Sequence, residues 1–122
     1  MRLRLLAAIA FFVAVSTASA VPVIPNASLI KGIVLGCETI SSTLLGMQPE
    51  QTIYRLTIQI ESSEDVGEIH NLLKGAEGKD MVFYTKKPLP SEIIKKTVKA
   101  RVSYRGDERG GRWWVQEIQI LD

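Results

Sequence analysis

Hydrophobic and polar positions alternate along most of the chain beyond residue 28. In "TIYRLTIQIE" (Thr52 to Glu61), Tyr54, Leu56, Ile58 and Ile60 fall on one side, and Arg55, Thr57, Gln59 and Glu61 on the other. Period two with β-branched enrichment predicts a strand buried on one face. "VKARVSYR" (Val98 to Arg105) repeats the pattern, setting Val98, Ala100, Val102 and Tyr104 against Lys99, Arg101, Ser103 and Arg105. "SLIKGIVLGCETI" (Ser28 to Ile40) and "DMVFYTKK" (Asp80 to Lys87) are further strands. Gly32 and Gly36 suit a first strand that coils sharply. "RWWVQEIQIL" is the last strand. Its alternation points Trp114, Ile118 and Ile120 inward and Trp113, Val115, Glu117 and Gln119 outward, with Gln116 out of keeping. "DERGG" before it reads as a hairpin turn, since Gly110 and Gly111 can take positive φ.

Two stretches carry helical spacing instead. Val66, Ile69, Leu72 and Leu73 predict a helix over Glu64 to Lys74, capped by Ser63, with acidic residues in its first turn and Gly75 as its stop. "LPSEIIKKT" predicts one or two turns capped by Ser91, with Ile93 and Ile94 inward. Residues 21–27, "VPVIPNA", read as an extended leader because two prolines oppose regular structure.

The expected fold is mainly β: a single domain over residues 28–122, a five-stranded Greek-key barrel with one or two short helices. The strand order, the glycine-bearing first strand and the ending "TVKARVSYRGDERGGRWWVQEIQIL" resemble the small oligonucleotide/oligosaccharide-binding (OB) folds. The helix at Glu64 to Lys74 departs from that pattern, whose usual helix follows the third strand. The resemblance implies a binding module. Exported proteins of this fold include envelope stress-associated and haem-delivery proteins, and no residue role is carried over from either.

The N-terminus changes the charge picture. "MRLR", the apolar run Leu5 to Val15 and "STASA" form a signal-peptide pattern over residues 1–20, with cleavage expected after Ala20. The alternative is an uncleaved anchor, which the polar Ser16, Thr17 and Ser19 and then Pro22 weaken. The chain has fifteen basic and thirteen acidic residues, and losing Arg2 and Arg4 leaves thirteen of each. A nucleic-acid binder usually keeps a basic surplus. Cys37 is the single cysteine, so no internal disulfide is possible. "VLGC" faintly resembles a lipoprotein box but lacks an apolar core directly before it, and a small buried thiol is the plainer reading. Asn26 heads an Asn-Ala-Ser sequon, which matters only in a eukaryotic host.

No catalytic constellation stands out. His70 is the lone histidine and is expected as an exposed helix residue. One Cys and one His match no zinc spacing, and Glu61, Glu64, Asp65 and Glu68 lack a calcium-loop pattern. No cofactor, metal or catalytic residue is assigned, and the protein is expected not to be an enzyme. Binding is the better expectation. Lys99, Arg101, Arg105 and Arg112 form a basic stripe on the outward face, and Trp113 beside them could stack a base or sugar, or cover an arginine structurally. Tyr54, Phe83, Tyr84 and Tyr104 are expected mostly in the core. "RGD" (Arg105 to Asp107) is too short to support a receptor claim and is expected to be an accident of the turn.

The leading expectation is thus a secreted or periplasmic, non-enzymatic module engaging a protein, an envelope component or an oligosaccharide through its outer strands. No membrane span is expected after cleavage. A single-stranded nucleic-acid binder is second, and a haem carrier or enzyme using His70 third.

Overall fold

A computed structural model describes residues 25–107 and 110–121. The signal-peptide reading of residues 1–20 lies outside them, as does most of the leader. Five strands run β1 (Ser28–Ser41), β2 (Thr52–Asp65), β3 (Asp80–Thr85), β4 (Thr97–Asp107) and β5 (Gly110–Ile120), with 3-10 turns at Ser42–Leu45 and Ser91–Ile93. Among the described residues, no helix is long and apolar enough to cross a membrane.

The alternation holds from Leu56 to Glu61 in β2 and from Val98 to Val102 in β4; outside those stretches Ile53 rather than Tyr54 is buried, and Ser103 is buried while Tyr104, expected inward, is exposed. Leu56, Ile58 and Ile60 of β2 pack with Val98, Ala100 and Val102 of β4, together with Ile30 and Val34 of β1 and Phe83 of β3. Each residue of this set leaves at most one percent of its surface exposed. Fully burying an aliphatic or aromatic side chain of this kind is worth about 1.5–3 kcal/mol, so this cluster supplies the main drive for folding.

The strands follow one another as β1-β2-β3-β5-β4, and β4 returns to β1. Four of the five seams are antiparallel ladders. β3 and β5 instead meet in parallel at a single bridge, Tyr84↔Trp114. The circuit therefore comes round with no hydrogen-bonded ladder on that side. The expectation of a Greek-key barrel of the oligonucleotide/oligosaccharide-binding kind with one or two short helices is corrected: the strand circuit closes only through that one parallel bridge, and the domain is a mixed five-stranded sheet with two 3-10 turns and a weakly paired β3–β5 seam.

Two register shifts bend β1 against β2, between Lys31 and Gly32 and between Val34 and Gly36. Bulges of this kind increase local twist and curl a strand. At Gly32 a Cβ would collide with the Gln59 carbonyl oxygen and lie 2.8 Å from Ile58 Cγ2, whereas at Gly36 it would meet nothing. Glycine is thus needed at the first of the two positions for close approach of β2.

The expected helix over Glu64 to Lys74 is absent. β2 runs on to Asp65, Val66 bridges Ile69, and turns follow. Gly67 and Gly75 take φ of 55° and 86°, which interrupts helical backbone at both ends of the apolar pattern. Asn71 competes as well: its Oδ1 accepts from Leu73 N at 2.9 Å and from Ser28 Oγ at 2.5 Å, and its Nδ2 donates to Asp65 at 3.1 Å. Such local side-chain bonds offer the backbone an alternative to helix. Of the four apolar residues only Leu73 is buried, and Ile69 and Leu72 are exposed. His70 accordingly sits on a loop, where its carbonyl accepts from Ala27 N at 3.0 Å. At the second predicted helix a short 3-10 turn forms over Ser91–Ile93. Pro90 rather than Ser91 holds the cap position, Ile93 is buried, and Ile94 is exposed.

Candidate functional site: a basic cleft at the weak seam

The final strand carries the main revision. β4 and β5 form the expected hairpin, paired from Val98↔Ile120 to Asp107↔Gly110, with Gly110 at φ 108°. A register shift between Arg101 and Val102 sets Arg101 opposite Glu117 but Val102 opposite Val115, leaving Gln116 as the extra residue. That bulge reverses the phase of everything between it and the turn. Trp113 and Val115, expected outward, pack against the core alongside Ile118. Trp113 meets Phe83 edge-on at 6.2 Å between ring centroids and Tyr104 at 5.3 Å. Trp114, expected inward, lies against Tyr84 at 5.8 Å, on the other face. Ile120 is also more exposed than expected.

The basic stripe is divided rather than continuous. Lys99 and Arg105 are exposed, and Arg101 and Arg112 are half-buried. Ser103, in line with them, is buried. The segment before β1 lies beside it. Asn26 Nδ2 donates to Tyr104 O at 2.9 Å and Tyr104 N donates to Asn26 Oδ1 at 2.7 Å, so one amide side chain replaces a ladder pair.

A different grouping emerges at the β3–β5 seam. A cleft of ≈ 490 Å³ opens there, and Lys86, Lys87, Arg105 and Arg112 all line it. Trp114 and Met47 contribute apolar wall, and among the described residues the lining contains no carboxylate. Arg105 and Arg112 are directly opposed in the β4–β5 ladder. Like charges at opposed strand positions are destabilising, by a few tenths of a kcal/mol or more. Loop and strand geometry hold the cleft in shape. Ser42, fully buried, accepts from Gln51 N at 2.9 Å and fixes the β1–β2 loop. Arg112 Nη2 reaches Leu45 O of that loop at 3.5 Å. Thr85 Oγ1 accepts from Lys87 N at 3.1 Å, turning the chain as β3 ends.

Of the expected binding residues, Arg105 and Arg112 belong to this cleft, while Lys99, Arg101 and Trp113 do not line it. Lys86, Lys87 and Trp114 were not singled out from the sequence. Two adjacent lysines just after a strand were the available signal, but only the parallel bridge brings them beside β5.

Other groups offer little chemistry. Among the described residues, no three His, Cys, Asp or Glu side chains gather to hold a metal. Cys37 is half-buried on β1, and desolvation, then the neighbouring Glu38 carboxylate, push its thiol pKa up. A raised pKa makes a poor nucleophile at neutral pH. Glu38 is itself engaged by Arg55 across the β1–β2 ladder. The backbone of the "RGD" tripeptide is paired strand, with Arg105↔Arg112, Gly106↔Gly111 and Asp107↔Gly110.

No family model, curated protein or solved structure matches the chain. The expected membership of the oligonucleotide/oligosaccharide-binding fold therefore gains no support, and the function drawn from it is withdrawn. The outward-facing platform of Trp113 and a basic stripe, meant for an oligosaccharide, a protein or single-stranded nucleic acid, is not the surface the structure presents. What stands is a mainly β domain with a basic, aromatic-walled cleft at its weakest seam.

Proposed function

We propose that the domain binds an acidic peptide segment, without covalent chemistry, in the cleft beside the β3–β5 seam. The observation that carries this reading is the opposed Arg105–Arg112 pair, sharing the lining with Lys86 and Lys87 and, among the described residues, with no carboxylate. Four cations gathered this way repel one another, and an anionic occupant relieves the repulsion. Trp114 and Met47 supply apolar surface for the aliphatic part of a Glu or Asp side chain, as in small-ligand sites that combine apolar walls with few charged groups. The partner's charge would speed encounter as well as hold the complex.

A fluorescein-labelled oligoglutamate peptide tests this by anisotropy. Binding should be saturable and weaken with added salt, and the Lys86→Glu/Lys87→Glu variant should lose about tenfold or more in affinity, as expected when charge complementarity is inverted. With unlabelled peptide, intrinsic tryptophan emission should change on binding, and Trp114→Phe should remove most of that change while Trp113→Phe keeps it. Binding indifferent to salt and to the Lys86/Lys87 reversal would remove the cleft as the site.

We further propose that the domain works outside the cytoplasm, supported by the basic, apolar and small-residue segments of residues 1–20. N-terminal sequencing of the protein from the exported fraction should begin at Val21. A cytoplasmic product that retains Met1 to Ala20 would reject export.

A further inference from the structure

On the outward side of β4, next to the basic cleft, lies a second and smaller cavity of ≈ 180 Å³. Arg101, Ser103 and Arg105 line it from β4, Gln116 from the β5 bulge, and Pro25 to Ala27 with Ile69 form its rim. Among the described residues, two polar groups that line this cavity have no hydrogen-bond partner. Ser103 is four percent exposed, and its hydroxyl meets no partner among the described residues. The Arg101 Nε is buried and likewise meets none. A buried donor left unmade forfeits roughly 1–3 kcal/mol, more when it is charged, so two in one cavity need a cause.

We infer that this cavity is a binding site for a phosphate-class oxyanion, free or carried on a larger ligand. The chemistry matches group by group. Arg101 Nε–H and the Ser103 hydroxyl are both donors, and an oxyanion accepts from both. Arg105 lines the same space and brings a second positive charge. Arg guanidinium and oxyanion pair through charge-assisted hydrogen bonds, which are about twice as strong as neutral ones. Two guanidinium groups also suit a dianion better than a single carboxylate. The Asn26 clamp on Tyr104 and the Ala27–His70 hydrogen bond hold the rim in place without an occupant. Glu117, set opposite Arg101 in the ladder, is the carboxylate best placed to compete for it.

The cavity shares Arg105 and Gln116 with the basic cleft, but Lys86 and Lys87 line only the cleft, so their reversal tells the two sites apart. Inorganic phosphate is the probe, titrated into the full chain while the Arg101 Nε–H and the backbone amides are followed by NMR. A saturable shift centred on Arg101 and Ser103 is expected, weakened at least tenfold in Ser103→Ala and abolished in Arg101→Gln. The Lys86→Glu/Lys87→Glu variant should retain it, which separates this site from the cleft. Ser103→Ala removes only an unpaired hydroxyl and should unfold no earlier than the parent chain. The wild-type shifts alone decide the matter should Arg101→Gln fail to fold. A small, unsaturating shift spread evenly over all lysines and arginines would overturn the proposal, as would full affinity in Ser103→Ala; water would then be what meets both groups.

Discussion

The β1–β2 ladder and the β3–β5 seam are opposites in one small domain. β1 and β2 stay paired from Ser28↔Asp65 to Ser41↔Thr52, and a carboxylate–guanidinium pair, Glu38 with Arg55, spans their outer face. β3 and β5 share one bridge, and beside it four cations stand with no carboxylate among the described lining residues. On the first side the backbone is met by a long ladder and one pair of opposite charges is met within the chain. At the second, stability rests on side-chain packing, and the charges are left for something else to meet. Where ladder pairing gives out, the domain acquires both its cleft and its unmet charge.

The largest effect that separates the two regions is expected at the seam. Trp113 bridges Phe83 of β3 and Tyr104 of β4, so it joins strands that backbone hydrogen bonds barely join. Trp113→Ala should cost about 3–5 kcal/mol, the usual range for truncating a large aromatic in a core. Trp114→Ala, which loses mainly the tilted contact with Tyr84, should cost well under half as much. Denaturant melts of the two variants give the difference directly. Equal losses would mean that the strand phase assigned to β5 is wrong.

On the ladder side the sensitive position is a glycine. Gly32→Ala places a methyl group into the Gln59 carbonyl and against Ile58, both on β2, and backbone cannot give way as a flexible side chain can. Overpacking of this kind costs roughly 1–3 kcal/mol, and the upper end is expected here. Gly36→Ala has open space and should be neutral or slightly stabilising. Similar stabilities for the two variants would show that the ladder tolerates a bulge shift at Gly32.

A smaller effect of opposite sign is expected from the cleft. Arg105→Glu replaces an opposed like-charge pair with an attractive one facing Arg112, and should stabilise the fold by about 0.2–1 kcal/mol. The same change should weaken oligoglutamate binding. A variant that melts higher and binds worse would mark Arg105 as a residue kept for its ligand. A loss of stability would show that the pair is not in conflict.

The regions also differ in how far they could be read from the chain. β2 and β4 were legible where one face is buried and the period holds: Leu56, Ile58, Ile60, Val98, Ala100 and Val102 are all core, whereas Tyr54 and Tyr104, placed on the same face by the pattern, are not. The hairpin was legible from its glycines. The phase of β5 was not, because one inserted residue reverses the alternation while leaving both halves plausible. Gln116, the residue that did not fit, was the trace of that bulge. Val66, Ile69, Leu72 and Leu73 imitated a helical stripe, but Gly67, Gly75 and the Asn71 hydrogen bonds outweighed it. The cleft was hidden for another reason. It joins residues from the β1–β2 loop, the end of β3 and both strands of the last hairpin, and no local period reports a parallel bridge between distant strands.

Cys37 provides the finest test of the ladder side, because its thiol reports local opening without disturbing the fold. Burial and Glu38 raise its pKa, so the folded environment prefers the neutral thiol. The stabilising contribution is then complete below the ordinary thiol range and is lost as pH rises through the raised value. Iodoacetamide labelling of the native chain should therefore follow a pH curve displaced upward from that of the urea-unfolded chain, since only the thiolate reacts. Glu38→Gln removes the secondary cause and should bring the native curve part of the way back. Burial, the larger cause, should keep it above the unfolded curve. Coincident native and unfolded curves would mean that β1 opens at Cys37 faster than the reagent attacks, and that the long ladder is looser there than its pairing implies.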